Sequence, residues 1–234
     1  MSTLFFIRHG QASFGRSNYD RLSERGYEQA RVLAGHLAGG RPFDRIYTGT
    51  LQRQTETARA LTDLYQDKGL VPPELRRSEA FNEYESEAVC RTLIPRLVKE
   101  NPDLEPLAAA MFEDNRAFQT LFETVMQRWV AGEYRTPGIE PWGRFKARVN
   151  NALDDILAED GRGRRVAVFT SGGPVSVAVQ RALALSEEAC LQISWQVVNA
   201  SVTRFKCTPD RIMLATFNEH GYLEAAADGL VTYR

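Results

Sequence analysis

The stretch that decides the fold is TLFFIRHG, residues 3–10. Its first five residues are apolar or β-branched, a run that is typical of a strand buried on both faces of a sheet. Arg8 and His9 follow this run directly, and Gly10 begins a loop of small and polar residues that extends to Asp20. The stretch therefore predicts a buried strand that ends in two side chains able to bind anions or protons.

The segments that follow alternate between helix and strand patterns. Ser23 is a suitable N-cap for a helix with one apolar face. A second strand is predicted over residues 43–48, a second helix over 50–65 and a third strand over 75–78. This β-α-β-α-β order predicts a parallel sheet with right-handed crossovers.

The middle of the chain has helical patterns only. From about 84 to 141 the strand signals vanish, and apolar residues between Phe118 and Trp129 recur at helical spacing. We expect this aromatic stripe to belong to the core. The segment 84–141 is therefore predicted to be a helical cap inserted into a single domain that spans residues 1–234.

The sheet pattern returns in the last third of the chain. Residues 165–170 form an apolar strand that leads into Ser171-Gly172-Gly173-Pro174, where a helix is predicted to begin. Two further strands, over 202–207 and 211–217, are predicted to form an antiparallel hairpin. The predicted fold is a three-layer α/β sandwich, in which a mostly parallel sheet is flanked by helices.

Composition limits the classes of partner. The formal net charge is -1 and the pI is near 6.3, so we expect no general attraction to nucleic acid or to an anionic membrane. No apolar run approaches the ~20 residues of a membrane span. The three cysteines are an odd number without CxxC spacing, which favours free thiols in a reducing cytoplasm over disulfides or a zinc site. These patterns predict a cytoplasmic protein with a small-molecule ligand, and they leave its oligomeric state open.

Four chemically suggestive stretches follow the predicted parallel strands. They contain Arg8-His9, Arg53, Glu83 and Ser171-Gly172. Because parallel strands bring their carboxyl ends to one edge of a sheet, we expect these stretches to converge there. Two arginines and two helix N-termini can hold a phosphate group.

The reactive side chains in this set suit phosphoryl transfer. The imidazole of His9 is largely neutral at pH 7 and can attack phosphorus, since its reference pKa is about 6.5. Glu83 can protonate a leaving alkoxide if burial raises its pKa. Each of these residues alone is weak evidence, because a histidine after a strand is more often structural. The prediction rests on their conjunction.

Several motifs resemble those of the histidine phosphatase superfamily, the phosphoglycerate mutase-like proteins. FIRHGQA at 6–12 resembles its opening, LSERGYEQA at 22–30 its second signature, and YTGTLQRQTETA at 47–58 its third. FNE at 81–83 is similar to the stretch that carries the proton donor, and NASVT at 199–203 resembles the segment that opens the last hairpin.

The resemblance implies a fold, an activity and a set of site residues. His9 becomes phosphorylated, Arg8 and Arg53 hold the phosphate, and Glu83 protonates the leaving group. Gln11, Ser171 and Gly172 are expected to contribute to substrate binding. The implied activity is hydrolysis of a phosphate monoester, with a small phosphorylated substrate, no cofactor and no metal.

The sequence departs from the family pattern at one position of the site. Where the family places a second histidine, in Ser-His-Gly-Gly, this chain has Thr170-Ser171-Gly172-Gly173. Some bacterial members with a similar opening share this Thr-Ser-Gly-Gly variant, so the chain resembles that subgroup. A neutral serine holds a phosphate less strongly than a protonated histidine, which predicts a reduced activity. His36 and His220 are poor candidates to replace the missing second histidine.

Three other functions were weighed against this one. A glycolytic mutase has an acidic residue where this chain has Gln11 and a Trp-Asn pair where it has Phe14-Gly15, so a phosphatase is favoured. A serine hydrolase with Ser171 as nucleophile needs glycine where Phe169 stands. The remaining rival is a module that retains the fold and binds phosphate without hydrolysing it.

Overall fold

The computed structural model describes residues 1–13, 20–159 and 163–233. Phe14-Gly15, used above against a glycolytic mutase, lie outside these ranges. The described strands form one sheet: β1 (Ser2–Arg8), β2 (Arg45–Thr48), β3 (Leu75–Arg77), β4 (Arg165–Thr170), β5 (Val202–Thr208) and β6 (Arg211–Glu219). The described helices are α1 (Glu24–Ala38), α2 (Gln52–Asp67), α3 (Ser86–Glu100), α4 (Glu105–Ala110), α5 (Asn115–Val130), α6 (Trp142–Ala158), α7 (Gly172–Leu183), α8 (Glu187–Gln196) and α9 (Gly221–Ala226).

The first strand lies inside the sheet. The strand order is β3-β2-β4-β1-β5-β6, and β1 pairs in parallel with β4 and antiparallel with β5. β2 is parallel to both β3 and β4, whereas β5 and β6 form the antiparallel hairpin. The prediction of a mostly parallel sheet is confirmed. The carboxyl ends of β1, β2, β3 and β4 therefore lie along one edge.

Alternation along the central strands divides the apolar core into two layers. Leu4 and Phe6 of β1 pack on the side of α3, α5, α6 and α7, whereas Phe5 and Ile7 pack on the side of α1 and α2. All four side chains are at most 7% exposed. A strand whose successive side chains enter opposite cores needs apolar residues at every position, as the sequence shows. The predicted three-layer sandwich is confirmed.

The segment between β3 and β4 is helical, as its pattern predicts. Helices α3, α4 and α5 lie there, and the buried side chains Val125, Met126 and Trp129 of α5 join the same apolar cluster as α6 and α7. The stripe is thus largely core, as predicted. The description of residues 84–141 as a cap on a single domain stays a prediction.

Two boundaries differ from the prediction. Helix α2 begins at Gln52 rather than at residue 50, because the backbone of Leu51 is extended, with φ −64° and ψ 140°. Strand β2 begins at Arg45, and the ring of Phe43 before it packs edge-on against Phe5. Helices α6, α8 and α9 lie in segments for which no element was predicted.

Two glycines allow the loop after β1 to approach α1. A Cβ atom on Gly10 would lie 2.5 Å from the carbonyl oxygen of Gly26, and one on Gly26 would overlap the carbonyl oxygen of Gln11. Side chains are excluded at both positions by this close backbone contact. The Ser23 hydroxyl completes the junction by accepting a hydrogen bond from the Gly26 N–H at 3.0 Å, the predicted N-cap.

We expect alanine substitutions at two glycines of α1 to have opposite effects on stability. Gly26→Ala should lower the free energy of unfolding by about 1–3 kcal/mol, because the new methyl group overlaps backbone that must move. Gly35→Ala is the matched control, since nothing lies within 4 Å of a Cβ there. It should stabilise the fold by about 0.5–1 kcal/mol through helix propensity. Urea unfolding of both variants measures the difference, and destabilisation by both would contradict the steric explanation.

Candidate active site

A small cavity lies at the edge of the sheet where the strands end. Its volume is about 160 Å³. The described residues that line it come from the end of β1, from the starts of α2, α3 and α7, from the turn after β3, from α5 and α8, and from the last residues of the chain: Arg8, His9, Arg53, Glu83, Tyr84, Ser86, Phe118, Phe122, Gly172, Gly173, Ser194, Trp195 and Tyr233. The predicted convergence of Arg8, His9, Arg53, Glu83 and Gly172 is thus observed.

The imidazole of His9 is held by a hydrogen bond at each nitrogen. Its Nδ1 lies 2.7 Å from the carbonyl oxygen of Gly10, and its Nε2 lies 3.1 Å from the Nε of Arg53. A carbonyl can only accept, so these partners assign the proton to Nδ1 and leave the lone pair on Nε2. The pKa of His9 lies well below its usual value because the ring is buried and because Arg53 and Arg8 repel a positive charge. The ring is therefore a neutral base with a fixed tautomer.

The backbone around His9 is fixed from two directions. The N–H of Gly10 donates to the hydroxyl of Thr57 on α2 at 3.1 Å. The carbonyl of His9 accepts from the N–H of Ala200 at 3.0 Å and from the side-chain amide of Asn199 at 3.3 Å. Thr57, in the motif at 47–58, and Asn199, in the motif at 199–203, thus both immobilise the end of β1.

Arg53 is buried and makes an ion pair on the side away from His9. Its Nη1 donates to the carboxylate of Asp20 at 2.7 Å, and the same carboxylate accepts from the backbone N–H of Gln52 at 2.7 Å. The guanidinium plane is therefore set by Asp20 at one edge and by His9 at the other. The sequence analysis missed Asp20, since a carboxylate in a polar loop has no local signal.

Glu83 lies half-buried against the first turn of α7. Its carboxylate accepts from the N–H of Gly173 at 3.0 Å, and a Cβ on Gly173 would overlap it. Burial raises the pKa of Glu83, although hydrogen bonds from Gly173 and Tyr84 and the charges of Arg53 and Arg8 oppose this shift. Its neighbour Glu85 is exposed and precedes α3.

Ser171 lies behind the cavity wall. It is 1% exposed, and its hydroxyl oxygen accepts a hydrogen bond from the Gln54 amide at 2.8 Å. The described lining of the cavity includes Gly172 and Gly173 but not Ser171. The side-chain oxygen of Gln11 accepts from Ser23 at 3.0 Å, at the start of α1. Contact of Ser171 or Gln11 with a substrate stays a prediction.

The other histidines lie away from this cavity. His36 is exposed and stacks on the ring of Tyr222 at 4.1 Å between centroids. The Nδ1 of His220 contacts the carbonyl of Asn218 at 2.5 Å, and its Nε2 lies 3.6 Å from Glu224. Neither ring is among the described residues of the cavity lining.

Residues 1–13, 20–159 and 163–233 contain no group of three or more histidine, cysteine, aspartate or glutamate side chains that could hold a metal ion. None of the helices in those ranges is long and apolar enough to cross a membrane.

Aromatic rings form the wall of the cavity opposite the charged groups. Phe118 and Phe122 of α5 stack at 5.7 Å, and Phe122 packs against Trp195 of α8 at 6.4 Å. The ring of Tyr84 joins a buried cluster with Trp129 at 5.0 Å. The cavity thus has a charged end at His9 and an aromatic end at α5 and α8.

The turn that carries Glu83 is held by Arg148, which the sequence analysis also missed. The Nη1 atom of Arg148 donates to three backbone carbonyls of the turn 79–82, at 2.8, 3.0 and 3.2 Å. Its Nε contacts both carboxylate oxygens of Glu140, at 2.9 and 3.0 Å, and its guanidinium lies over the ring of Phe145. The sequence around Arg148 does not indicate that its partners are backbone carbonyls of residues 79–82, which are far away in the chain.

The comparisons with known proteins agree with this geometry. The model of the histidine phosphatase superfamily (branch 1) matches residues 4–89 and 94–220. The chain belongs to this superfamily. A comparison with curated protein sequences gives no match.

Solved structures of similar fold include phosphatases and a mutase. A phosphoglycerate mutase from Bacillus anthracis is 20% identical, with a TM-score of 0.60 and 94% of each chain covered. A phosphoserine phosphatase from Entamoeba histolytica is 19% identical, with a TM-score of 0.62 over 95% of this chain and 99% of that one. A mycobacterial glucosyl-3-phosphoglycerate phosphatase is 21% identical, with a TM-score of 0.63 over 95% and 99%. At such low sequence identities, the similarity to these structures shows a shared fold and nothing more.

We expect Arg148→Met to lower the free energy of unfolding by about 1–3 kcal/mol, because three backbone carbonyls lose a charged donor. Water around the half-buried Arg148 position offsets part of this loss. Arg144→Met is the control, because Arg144 is an exposed arginine of the same helix. Its substitution should change stability by less than about 0.5 kcal/mol. Chemical denaturation and amide hydrogen exchange across residues 79–84 test this. Equal stability of the two variants would show that the turn does not depend on Arg148.

Proposed function

We propose that this chain hydrolyses phosphate monoesters through a phosphohistidine intermediate on His9. The observation that carries the proposal is the assigned tautomer of His9, with its Nε2 lone pair beside the Nε of Arg53. A nucleophile needs that lone pair, and a phosphate bound by Arg53 brings phosphorus next to it.

The first chemical step transfers the phosphoryl group to the protein. Nε2 of His9 forms a bond to phosphorus as the bond to the ester oxygen breaks, and Glu83 gives its proton to the departing alkoxide. Arg8 and Arg53 offset the charge on the phosphoryl oxygens. The raised pKa of Glu83 supports its role, because a carboxyl group must still carry its proton near neutral pH to act as an acid.

The second step returns the protein to its starting state. Water attacks the phosphohistidine, the bond from Nε2 to phosphorus breaks, and the carboxylate of Glu83 takes the proton that the water loses. Inorganic phosphate leaves, with His9 neutral and Glu83 protonated again. The Gly172 amide at the start of α7 is a neutral donor at the cavity in place of a second histidine, while the buried Ser171 hydroxyl lies behind it.

The aromatic wall supports a substrate whose alcohol group is at least partly apolar. Phe118, Phe122 and Trp195 line the same cavity as His9 and Arg53, so the leaving group of a bound monoester would meet their rings. A turnover screen of aryl, sugar and amino-acid phosphates identifies the preferred class.

One observation favours a second candidate function, a phosphate-binding module without turnover. The buried Ser171 stands where the superfamily carries its second histidine, so the site has one charged donor fewer for the transition state. Such a module binds phosphate or vanadate at this cavity, but neither forms a phosphoenzyme nor releases an alcohol.

We expect His9→Ala to lower turnover of phosphate monoesters by at least about a thousandfold, because no other lone pair replaces Nε2. It should also abolish the acid-labile labelling of the protein by a radioactive substrate. His36→Ala is the control, as that exposed ring lies outside the cavity lining and should leave both signals intact. Full turnover in His9→Ala would exclude the mechanism. Vanadate binding without turnover in the unsubstituted chain would favour the module.

A second pair of variants tests the proton donor. Glu83→Gln should slow hydrolysis of an alkyl phosphate by about a hundredfold or more, since its alkoxide cannot leave without a proton. The loss should be much smaller for nitrophenyl phosphate, whose leaving group is stable as an anion. Glu85→Gln should affect neither substrate. Equal losses on the two esters, or a larger loss in Glu85→Gln, would remove Glu83 from this role.

The pH profile of kcat/KM reports the ionisation of Glu83 as well as that of His9. Because the pKa of Glu83 is raised, the acid form persists to a higher pH than for an ordinary glutamate, and activity on the alkyl ester falls only above that pKa. The lowered pKa of His9 keeps the nucleophile neutral below the usual pKa of histidine, which moves the acid limb to lower pH. Glu83→Gln should remove the basic limb and retain the acid limb.

A further inference from the structure

A second, larger cleft lies at the opposite end of β1 from His9. Its volume is about 540 Å³, in the range of small-molecule sites. Thr3 and Phe5 of β1 line it, five and three residues before Arg8. Four cationic side chains lie around it: Arg41, Arg165, Arg204 and Lys206.

Arg165 is held in one position at the centre of this group. Its backbone N–H donates to the carboxylate of Asp44 at 2.7 Å. The guanidinium carbon lies over the rings of Phe5 and Phe43, at 4.9 and 5.0 Å from their centroids. Within the described ranges, its buried Nε has no hydrogen-bond partner. The side chain is thus ordered by packing on two rings, and its charge has no carboxylate partner within the described ranges.

The charges of the cleft are only partly neutralised. Arg41 makes an ion pair with Asp44 at 2.7 Å, and Arg204 makes one with Glu219 at 2.8 Å. Arg165 and Lys206 have no carboxylate within 4.0 Å in the part of the chain that the structure describes, and Lys206 donates only to the hydroxyl of Thr3, at 3.0 Å. Two positive charges therefore remain in a protein whose net charge is -1.

Burial and repulsion make the charge of Arg165 costly. Burial lowers the pKa of Arg165, and Arg41 and Arg204 lower it further, although Tyr65 and Asp44 oppose them. An anion in the cleft would relieve this repulsion. Guanidinium groups bind phosphate oxygens in pairs of parallel hydrogen bonds, which a halide ion cannot make.

We propose that this cleft binds a small molecule that carries a diphosphate group. The two cations without a carboxylate partner match an anion of at least two charges, and the cleft volume admits a metabolite rather than a polymer. Phosphate on Arg165 and Lys206 lies next to the hydroxyl of Thr3, which adds a further donor. The site is separate from the cavity at His9 and does not depend on its chemistry.

Inorganic pyrophosphate is the probe, measured by isothermal titration calorimetry on the full chain. Because pyrophosphate also suits the cavity at His9, the measurement uses Arg53→Met as the starting variant. We expect that variant to bind one equivalent. Adding Lys206→Met, an exposed and readily tolerated change, should weaken this binding at least about tenfold, since a charge-assisted hydrogen bond is lost.

Arg165 is tested by two substitutions, since Arg165→Met also alters packing against two rings. Arg165→Lys retains the charge but cannot form paired hydrogen bonds, so it should weaken binding as well. Arg144→Met removes an exposed charge elsewhere and should leave binding unchanged. Absence of binding in Arg53→Met would overturn the proposal. Equal weakening by Arg144→Met would also overturn it, since attraction would then be general rather than local to this cleft.

Discussion

The hydrogen bonds on the two nitrogens of His9 are the constraint on which the rest of the site depends. The Gly10 carbonyl fixes the proton on Nδ1, and Arg53 lies against Nε2. The contact with Arg53 requires the end of β1 to meet the first turn of α2, which occurs because β1 lies inside the sheet and β2 leads directly into α2. Gly10 and Gly26 let the loop after β1 approach α1, since neither position has room for a side chain.

The electrostatics of the cavity follow from burying unlike groups together. Burial opposes charge on both His9 and Glu83, but the neighbouring arginines act on them in opposite directions. They add to the effect of burial on His9, whose pKa falls, and they oppose it on Glu83, whose pKa still rises. Beside the same two guanidinium groups, His9 is thus held neutral and the protonated form of Glu83 is favoured more than in an ordinary glutamate. The same arrangement is what a phosphate dianion needs for binding.

The position of Ser171 shows how the fold accommodates the missing second histidine. The Gln54 amide bonds to the Ser171 hydroxyl and to the carbonyl of Phe81, so it links α2, the start of α7 and the turn before Glu83. Polar side chains that are completely buried rarely lack partners, and this network supplies one for the hydroxyl. Glu83 in turn occupies the N-terminus of α7 through the Gly173 amide. With serine in place of the larger histidine, α2, the start of α7 and the turn before Glu83 therefore remain in contact.

The sequence by itself determined the fold class and the convergence of Arg8, His9, Arg53, Glu83 and Gly172 at one edge of the sheet. Local patterns were sufficient, because strand burial, alternation and glycine positions are read along the chain, and parallel strands bring their carboxyl ends together. Only the tertiary structure decided which partner holds each group. Asp20 on Arg53, Arg148 on the turn 79–82 and the cations around Arg165 join residues far apart in sequence. Such pairings depend on the distances between helices and strands in the fold, which the periodicity of apolar residues does not predict. A sequence motif identifies only residues that are close together in the chain.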